Sequence, residues 1–217
     1  MSIKDKFRQF IKSALPRWIM IYKLKKSNTD ILFTFDDGPD PVFTPEILDI
    51  LKRKKKKAIF FVIGEKALQY PEIIRRISDE GHIIGNHTHT HPHDRKTNIS
   101  VYKADIEKAQ EALESIIGEK PRIFRPPCGE FNLKTVYSAK RLGLSIMLMS
   151  NGGGEWNENA KADPKVVESQ ILRNIEPSQI IVMHDNNPKI PAMLSSLIDN
   201  IDSSNLLVAT QIETSQF

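Results

Sequence analysis

The chain has 217 residues, of which 40% are hydrophobic, and this is enough to bury the core of one α/β domain but short for two. Its one cysteine, Cys128, excludes an intramolecular disulfide framework and favours a reducing compartment. No apolar run approaches the roughly 20 residues that span a bilayer, and the N-terminal residues do not follow the pattern of a secretory signal. We therefore expect a cytoplasmic protein.

The net charge of +4 is unevenly distributed along the chain. Residues 1 to 26 hold eight Lys and Arg against one acid, a net charge of +7, so residues 27 to 217 carry −3. Aromatic and aliphatic residues recur in this segment largely at helical spacing, interrupted by Pro16. Such a segment suits a helix that covers one end of the domain or, alternatively, peripheral contact with an anionic membrane at its inner face. We predict a basic amphipathic arm over residues 1 to 28 and a single domain over residues 29 to 217.

Beyond the arm, short apolar segments alternate with helical patterns. The apolar segments predict strands at residues 31–35, 58–64, 82–86, 122–124, 144–150, 179–184 and 206–210. The helical patterns lie at residues 45–56, 71–80, 99–117, 133–142, 164–175 and 191–201. Seven strands in strict alternation with helices indicate an α/β fold with a parallel sheet, either closed as a barrel or open and doubly wound.

Residues with capping preferences mark several of the predicted helix ends. Thr44 and Asp163 each precede a proline, which predicts an N-cap followed by proline in the first turn. Gly81, Gly118 and Gly143 follow helical patterns and predict left-handed residues at the C-terminal ends.

A run of cations at residues 52 to 57 ends the first predicted helix. Cations are favourable there because the last carbonyl groups of a helix carry partial negative charge. A nucleic-acid surface would need interleaved aromatic residues, which the run lacks. We expect a solvated helix end and no nucleic-acid partner.

Polar side chains that can carry chemistry follow four of the predicted strands. Asp36 and Asp37 follow the first strand, a histidine tract follows residues 82–86, Arg125 follows residues 122–124, and His184 ends the strand at 179–184. The carboxyl ends of parallel strands meet at one edge, where α/β folds gather their active-site residues. We therefore expect one convergent site.

The histidine tract reads GNHTHTHPHD at residues 85 to 94 and offers two equivalent metal-binding pairs. His87 with His91 and His89 with His93 have the same spacing, so spacing alone leaves both pairs open. Two histidines and one aspartate form the three-ligand set of a catalytic zinc site, which keeps a fourth position for water. A solvated histidine-rich loop is the alternative interpretation.

The other polar residues suit hydrolysis at such a metal. Adjacent side chains at a strand end point in different directions, so one carboxylate of Asp36 and Asp37 can bind the metal while the other faces an activated water. The imidazole of His184 exchanges protons near neutral pH and is suited to protonating a leaving amine. Taken singly, the two aspartates would also fit a polar turn, and His184 an ordinary core histidine.

Four motifs in a fixed order resemble those of the polysaccharide deacetylase family, which is also called the NodB-homology domain or carbohydrate esterase family 4. They are TFDDGP (34 to 39), GNHTHTHP (85 to 92), FRPPCG (124 to 129) and VMHD (182 to 185). The resemblance extends over roughly residues 29 to 210 and implies a catalytic domain with a distorted (β/α) barrel, often of seven strands, in agreement with the strand count above.

The resemblance also implies roles for individual residues. Its frame, with Gly-Asn before the first ligand and Pro after the second, selects His87 and His91 over His89 and His93. The implied metal ligands are Asp37, His87 and His91. The implied catalytic residues are Asp36 as general base, Arg125 as its orienting partner, His184 as general acid and the backbone N–H of Cys128 as an oxyanion donor. The expected cofactor is a divalent metal, zinc in the first place, with cobalt, manganese or iron as alternatives.

Two departures from the family pattern concern the substrate pocket. Cys128 stands where the family usually has tyrosine, so an aromatic contact with substrate is lost. The stretch SNGGGEW at residues 150 to 156 replaces a motif that typically ends in Asp-Trp. Glu155 would then take over from the aspartate that tunes His184, while Trp156 keeps its place in the pocket.

The expected function is a metal-dependent hydrolase that removes the N-acetyl group from an amino sugar of a polysaccharide or glycan precursor. A lipid-linked precursor would suit the basic arm at the inner membrane face. The alternatives are hydrolysis of another C–N bond, in an N-formyl sugar or a cyclic amide, and a non-catalytic carbohydrate-binding relative. The sequence does not determine the oligomeric state.

Overall fold

The structure, a computed structural model, describes residue 16 and residues 19–24, 31–93, 97–154 and 163–212. Its strands are β1 (Met20–Ile21), β2 (Ile31–Gly38), β3 (Ala58–Val62), β4 (Ile83–Asn86), β5 (Ile123–Phe124), β6 (Ser145–Met147), β7 (Asn151–Gly152) and β8 (Gln179–His184). Its helices are α1 (Phe43–Arg53), α2 (Gly64–Gln69), α3 (Pro71–Asp79), α4 (Ile99–Ile117), α5 (Leu133–Arg141), α6 (Pro164–Arg173) and α7 (Lys189–Ser203). None of the helices in these ranges is long and apolar enough to cross a membrane.

The eight strands form one parallel sheet with the order β1-β6-β5-β4-β3-β2-β8-β7. The predicted α/β class with a distorted barrel is confirmed, but the number of strands differs. The predicted strand at residues 206–210 contributes only an isolated bridge between Ile31 and Val208. β1 and β7 have two residues each, too few for a periodic pattern to reveal them. They form the two edges of the sheet, so the barrel is open between them.

The alternation of side chains along β2 divides the core into an outer and an inner part. Ile31, Phe33 and Phe35 pack outward against the helices. Leu32 belongs to a second cluster inside the curled sheet, together with Ile59, Phe61, Ile123, Met147 and Ile180. Because side chains alternate with a period of two, Thr34 and Asp36 continue the inner row above this apolar layer. The strand thus carries Asp36 into the mouth of the barrel.

Part of the predicted arm belongs to the sheet. Met20 and Ile21 are fully buried and pair with Ile146 and Met147 of β6. Ile19 accepts a further hydrogen bond from the Ile146 backbone N–H (2.8 Å). The helical spacing read from the sequence therefore does not extend through these residues. The rest of the arm, apart from Pro16 and residues 22 to 24, lies outside the described ranges.

The helices agree with the predicted patterns, with two exceptions. The side chain of Asp163 accepts the backbone N–H of Lys165 as an N-cap, and Gly118 ends α4 with a φ of 81°. Thr44 was wrongly predicted as an N-cap, because α1 begins at Phe43 and the Thr44 hydroxyl donates to Asp185 instead. The short helix α2 was missed, since its six residues are too few for a helical period.

The cationic run at residues 52 to 57 is held by groups of the same chain. Lys54 binds Asp199 at 2.6 Å and Lys56 binds Asp202 at 2.8 Å, both on α7. Lys57 donates to the backbone carbonyl of Glu80, next to the end of α3. These contacts tie the end of α1 to its neighbours.

Candidate active site

The inner rows of three strands bring the predicted catalytic residues together at the mouth of the barrel. Asp36 at the end of β2 lies in register with His184 at the end of β8. Arg125 follows β5 directly and is fully buried. Its Nη1 donates to Asp36 Oδ1 at 2.7 Å, so the two ionic side chains meet inside the sheet.

Arg125 is held through Nη1 and Nε, while its Nη2 is buried without a hydrogen-bond partner among the described residues. Its Nη1 also donates to Thr34 Oγ1 at 2.7 Å, and its Nε donates to the carbonyl of Met147 at 3.1 Å. The guanidinium lies 4.1 Å from the centre of the Phe61 ring, within the range of a cation–π contact. Burial lowers the pKa of Arg125 while the charge of Asp36 raises it, and a guanidinium stays protonated in either case. The orientation of the Asp36 carboxylate is therefore set by a rigid partner.

Asp37 reaches the same cavity as Asp36, although neighbouring strand residues normally face opposite ways. Its φ of 71° is left-handed, and the pairing of β2 with β3 shifts register between Asp36 and Gly38. This bulge turns the side chain of Asp37 back toward the barrel mouth. Lys66 on α2 donates to the Asp37 carbonyl at 2.7 Å and holds the turn.

Asp37, His87 and His91 form the group in the described part of the chain that could hold a metal, with one ligand atom from each lying within 4.8 Å of the others. Asp37 Oδ1 is 3.4 Å from His87 Nε2 and 3.2 Å from His91 Nε2. Burial would raise the pKa of Asp37, but the imidazoles of His87 and His91 outweigh it and hold this pKa well below its usual range. The carboxylate is thus ionised beside two ring nitrogens.

The contacts of this group fit a cation. His87 Nδ1 lies 2.7 Å from the carbonyl oxygen of Arg125, which can only accept, so Nδ1 carries the proton and Nε2 is left as a lone pair in the neutral ring. Asp37 Oδ1 is buried and has no hydrogen-bond partner in the part of the chain that the structure describes. A lone pair on His87 Nε2 that faces the Asp37 carboxylate at 3.4 Å is repelled by it unless a proton or a cation lies between them. The same carboxylate oxygen lies 3.2 Å from His91 Nε2, so a divalent cation bound among the three atoms would supply the positive charge.

Left-handed backbone is concentrated around the site. Asp37, Thr88, His91 and Cys128 have φ values of 71°, 68°, 57° and 58°. Each such residue costs roughly 1–2 kcal/mol relative to right-handed backbone, and such outliers cluster where function requires them. Two of the three candidate ligands, Asp37 and His91, are among them.

The site opens into a cavity of about 400 Å³. Its wall is formed by Asp36, Asp37, His87, His91, Cys128, Gly129, Met149, Val182 and His184. The volume lies within the range of small-molecule sites. Both carboxylates, the candidate ligands His87 and His91, and His184 therefore face one space.

The remaining predicted residues lie in different places. His89 is buried against Gly64, where an added β-carbon would come within 2.6 Å of His89 Nδ1. His93 is exposed, and its Nδ1 lies 3.8 Å from Cys128 Sγ. The structure thus joins Asp37 to the pair His87 and His91 and leaves the other pair apart. Glu155 and Trp156 lie outside the described residues.

Cys128 lies at the cavity wall as a thiol. Burial raises its pKa, and the negative charges of Glu130 and Asp37 raise it further. A thiol, unlike a thiolate, is a poor nucleophile at neutral pH. This environment argues against a covalent mechanism through Cys128.

Sequence reasoning missed several residues that support the site. Thr34 precedes the two aspartates in the TFDDGP motif, and Met149 lies in the apolar segment at 144–150, so neither residue carries a signal of chemistry in the sequence. Asp105 on α4 accepts hydrogen bonds from the histidine loop, and a single acid on a helix carries no signal of such a contact. Asp185 directly follows His184 but is turned away from the cavity toward Gly38 and Thr44.

Asp185 is a buried carboxyl group behind the site. Thr44 Oγ1 donates to its Oδ2 at 2.6 Å, and a β-carbon on Gly38 would come within 2.0 Å of the same oxygen, so only glycine fits there. Burial raises the pKa of Asp185 to about 7, with the charge of Asp37 adding to the rise and the Thr44 hydrogen bond opposing it. The folded protein therefore binds a proton at Asp185 more tightly than the unfolded chain does.

In the metal-free protein we expect the titration of Asp185 to lower stability as the pH rises from about 4 to about 7, and this contribution to end above the raised pKa of Asp185. Burial lowers the pKa of His82 to about 4, so His82 contributes in the opposite direction over the same range, and only the difference from a non-titrating variant isolates Asp185. Asp185→Asn keeps the shape of the side chain but cannot titrate, so it should lack this component, which is on the order of 4 kcal/mol at most. The measurement is the free energy of unfolding in urea at several pH values, with chelator present. Parallel curves for the two proteins would contradict the assignment.

An Asp/His/His group at the carboxyl ends of a parallel barrel, next to a second carboxylate and a histidine, is typical of metal-dependent hydrolases. The family model for polysaccharide deacetylase matches residues 23–147. The chain belongs to this family, as its ordered motifs predicted.

One relative is a peptidoglycan-N-acetylglucosamine deacetylase of Bacillus cereus, 39% identical over 158 residues. The match covers 73% of this chain and 56% of the relative, so the chain spans little more than half of that protein's length.

Solved structures share the fold over most of the chain. A peptidoglycan N-acetylglucosamine deacetylase in complex with 4-naphthalen-1-yl-N-oxidanyl-benzamide is 30% identical, with a TM-score of 0.81 over 89% of this chain and 94% of that one. A mutant of a Bacillus anthracis pseudoenzyme of carbohydrate esterase family 4, with restored enzymatic activity, is 25% identical. Its TM-score is 0.82 over 91% of this chain and 71% of that one. The same fold therefore occurs with and without activity, so the function of this chain has to be inferred from its site residues.

Proposed function

We propose that the protein is a metal-dependent hydrolase that removes the N-acetyl group from an amino sugar of a polysaccharide or glycan precursor. The observation that carries the proposal is that the Asp37, His87 and His91 group and the Asp36–Arg125 pair share one cavity with His184. Two of the proteins named above are deacetylases of N-acetylglucosamine in peptidoglycan, which supports an amide of an amino sugar as the bond that is cut.

Zinc is the metal we propose for Asp37, His87 and His91, since two imidazoles and a carboxylate with an open fourth position form a catalytic zinc set. Cobalt, manganese and iron accept the same ligands. The bound ion would act as a Lewis acid and lower the pKa of a water molecule from 15.7 to about 7.

The side chains around this group divide the proton transfers between them. Asp36 takes the proton of the attacking water at Oδ2, because Oδ1 is held by Arg125. The backbone N–H of Cys128 stabilises negative charge on the acyl oxygen, and one such donor contributes about 3–4 kcal/mol in hydrolases. His184, opposite Asp36 in the sheet, gives a proton to the departing amine. The products are acetate and a free amino sugar.

The proposal is tested by measuring the acid that purified, zinc-loaded protein releases. The substrates are peptidoglycan fragments, chitooligosaccharides, nucleotide-linked and polyprenyl-linked N-acetyl sugars, and the matching N-formyl sugars. We expect acetate from at least one N-acetyl sugar. Release of formate alone would replace deacetylation by deformylation, and no acid from any substrate would place the chain with the non-catalytic members of its family.

The lipid-linked substrate, the membrane contact of residues 1 to 26 and the cytoplasmic location stay predictions. The membrane contact is tested by comparing the binding of the full chain to anionic vesicles with the binding of an N-terminally shortened chain. The truncation has to end before Ile19, because Met20 and Ile21 are buried in the sheet and their removal would damage the fold.

A further inference from the structure

The backbone of the histidine loop, residues 87 to 91, is held by side chains. Four consecutive backbone N–H groups, those of residues 88 to 91, have side-chain acceptors. Asn86 Oδ1 accepts from Thr88 at 2.7 Å, and Thr88 Oγ1 accepts from His91 at 3.1 Å. The two N–H groups between them, of His89 and Thr90, both donate to Asp105 Oδ2, at 2.7 and 3.1 Å.

Asp105 is the acceptor that lies outside the loop, on helix α4. Its other oxygen, Oδ1, accepts the hydroxyl of Thr90 at 2.8 Å, so one carboxylate receives three hydrogen bonds from two loop residues. Hydrogen bonds to an ionised acceptor are shorter and stronger than those between neutral groups. The carboxylate therefore fixes the middle of the loop against α4.

The loop needs such a support because its backbone is strained. Thr88 and His91 are both left-handed, and a β-branched residue such as Thr88 adopts this conformation rarely. Asn86 adds a second attachment to the same helix, since its Nδ2 donates to the carbonyl of Ile106 and to Gln110 Oε1, each at 2.9 Å. Helix α4 thus supports the turn between His87 and His91 through hydrogen bonds of Asp105 and Asn86.

We propose that Asp105 is a positioning residue of the metal site: it holds the loop in the left-handed turn that places His91 Nε2 beside Asp37. The inference rests on the proposed metal-binding function, because it assigns Asp105 a role in placing a candidate metal ligand. Asp105 touches neither the candidate ligands' side chains nor the cavity, and acts on His91 through the backbone of residues 89 and 90.

The test compares Asp105→Ala, Asp105→Asn and, as a matched control, Glu107→Ala with the wild-type protein. Glu107 lies on the same helix and makes an exposed ion pair with Lys103 at 3.3 Å. The dissociation constant for zinc is measured by competition with a chromophoric chelator. The visible spectrum of the cobalt-loaded protein is measured at saturating cobalt, and circular dichroism checks the fold.

We expect Asp105→Ala to bind zinc about 10- to 100-fold more weakly, the range for groups that orient metal ligands, and to show an altered cobalt spectrum. Asp105→Asn should restore both, because an amide oxygen accepts the same two N–H groups. Glu107→Ala should match the wild type. If Asp105→Ala does not fold, Thr90→Val is measured instead. It removes the hydrogen bond from the Thr90 hydroxyl to Asp105 and should weaken zinc binding about two- to tenfold.

The outcomes separate this inference from the function on which it rests. Wild-type protein that binds neither zinc nor cobalt would overturn the proposed function. Wild-type protein that binds the metal, together with a folded Asp105→Ala variant of unchanged affinity and spectrum, would overturn the role of Asp105 alone. Equal weakening by Glu107→Ala would show a general effect of the helix and would also overturn that role.

Discussion

Asp36→Asn should lower kcat for deacetylation by about 10²- to 10⁴-fold, the usual contribution of a general base. The asparagine side chain keeps the shape of the aspartate but cannot accept the proton of the attacking water. Zinc affinity should change little, because Asp36 is not among the atoms grouped around Asp37 Oδ1. The measurement is the steady-state rate of acetate release together with the zinc dissociation constant.

This substitution also leaves a buried charge on Arg125 without its anionic partner. Breaking a buried ion pair costs about 3–5 kcal/mol of stability, although Thr34 Oγ1 and the Met147 carbonyl still bind the guanidinium. Activity therefore has to be measured well below the unfolding temperature of the variant. Asp199→Asn, at an exposed ion pair on α7, serves as the control. A folded Asp36→Asn variant with the activity of the wild type would remove Asp36 as the base.

His91→Ala should weaken zinc binding by at least about 100-fold, since structural zinc sites of zinc-finger peptides bind with roughly 10–16 kcal/mol in total and the loss of one ligand removes several kcal/mol on that scale. His87→Ala should do the same, and deacetylation should fall with metal occupancy. The measurement is zinc content after dialysis and the dissociation constant by competition. Removal of metal from the wild type with a chelator should reproduce the loss of activity, and added zinc should restore it.

His93→Ala is the matched control, because it lies two residues from His91 and contacts Cys128 Sγ rather than Asp37. It should leave zinc binding unchanged. His89 is less suitable as a control, since it is buried against Gly64 and its loss would leave a cavity. If His93→Ala lost the metal and His91→Ala kept it, the ligand pair would move by two residues along the tract and the rest of the mechanism would stand.

Much of the fold could be predicted because its helices are long and its inner strands are apolar. The pattern at residues 99–117 matches α4 at both ends, and the apolar segment at 31–35 lies within β2. Such signals are strong because each repeats over several periods. The two-residue edge strands β1 and β7 and the six-residue helix α2 are too short to show a repeating pattern, and tertiary contacts alone define them. The segment at 206–210 has the composition of a strand, but only Val208 is bridged.

The membership of the candidate site could also be predicted, but its geometry could not. Strand-end position and motif order brought Asp36, Asp37 and Arg125 to one edge of the sheet. The two adjacent aspartates face the same cavity because β2 has a bulge there and Asp37 is left-handed. Neither feature can be recognised from two consecutive aspartates in the sequence. The Asp105 contact joins residues 16 positions apart through space, and a pattern along one chain does not reveal such a pair.

β2 lies between β3 and β8 in the sheet, and this position affects the order in which the candidate site is assembled during synthesis. β2 pairs on one side with β3, which leaves the ribosome soon afterwards, and on the other with β8, where Thr34 Oγ1 reaches the Ile181 carbonyl across 147 positions of the chain. Until β8 emerges, β2 presents an open edge that other chains can pair with, and long-range pairing of this kind forms slowly. Asp36 and His184 meet only in that final pairing. The three candidate metal ligands, Asp37, His87 and His91, are therefore synthesised well before His184, which completes the group of residues around the cavity.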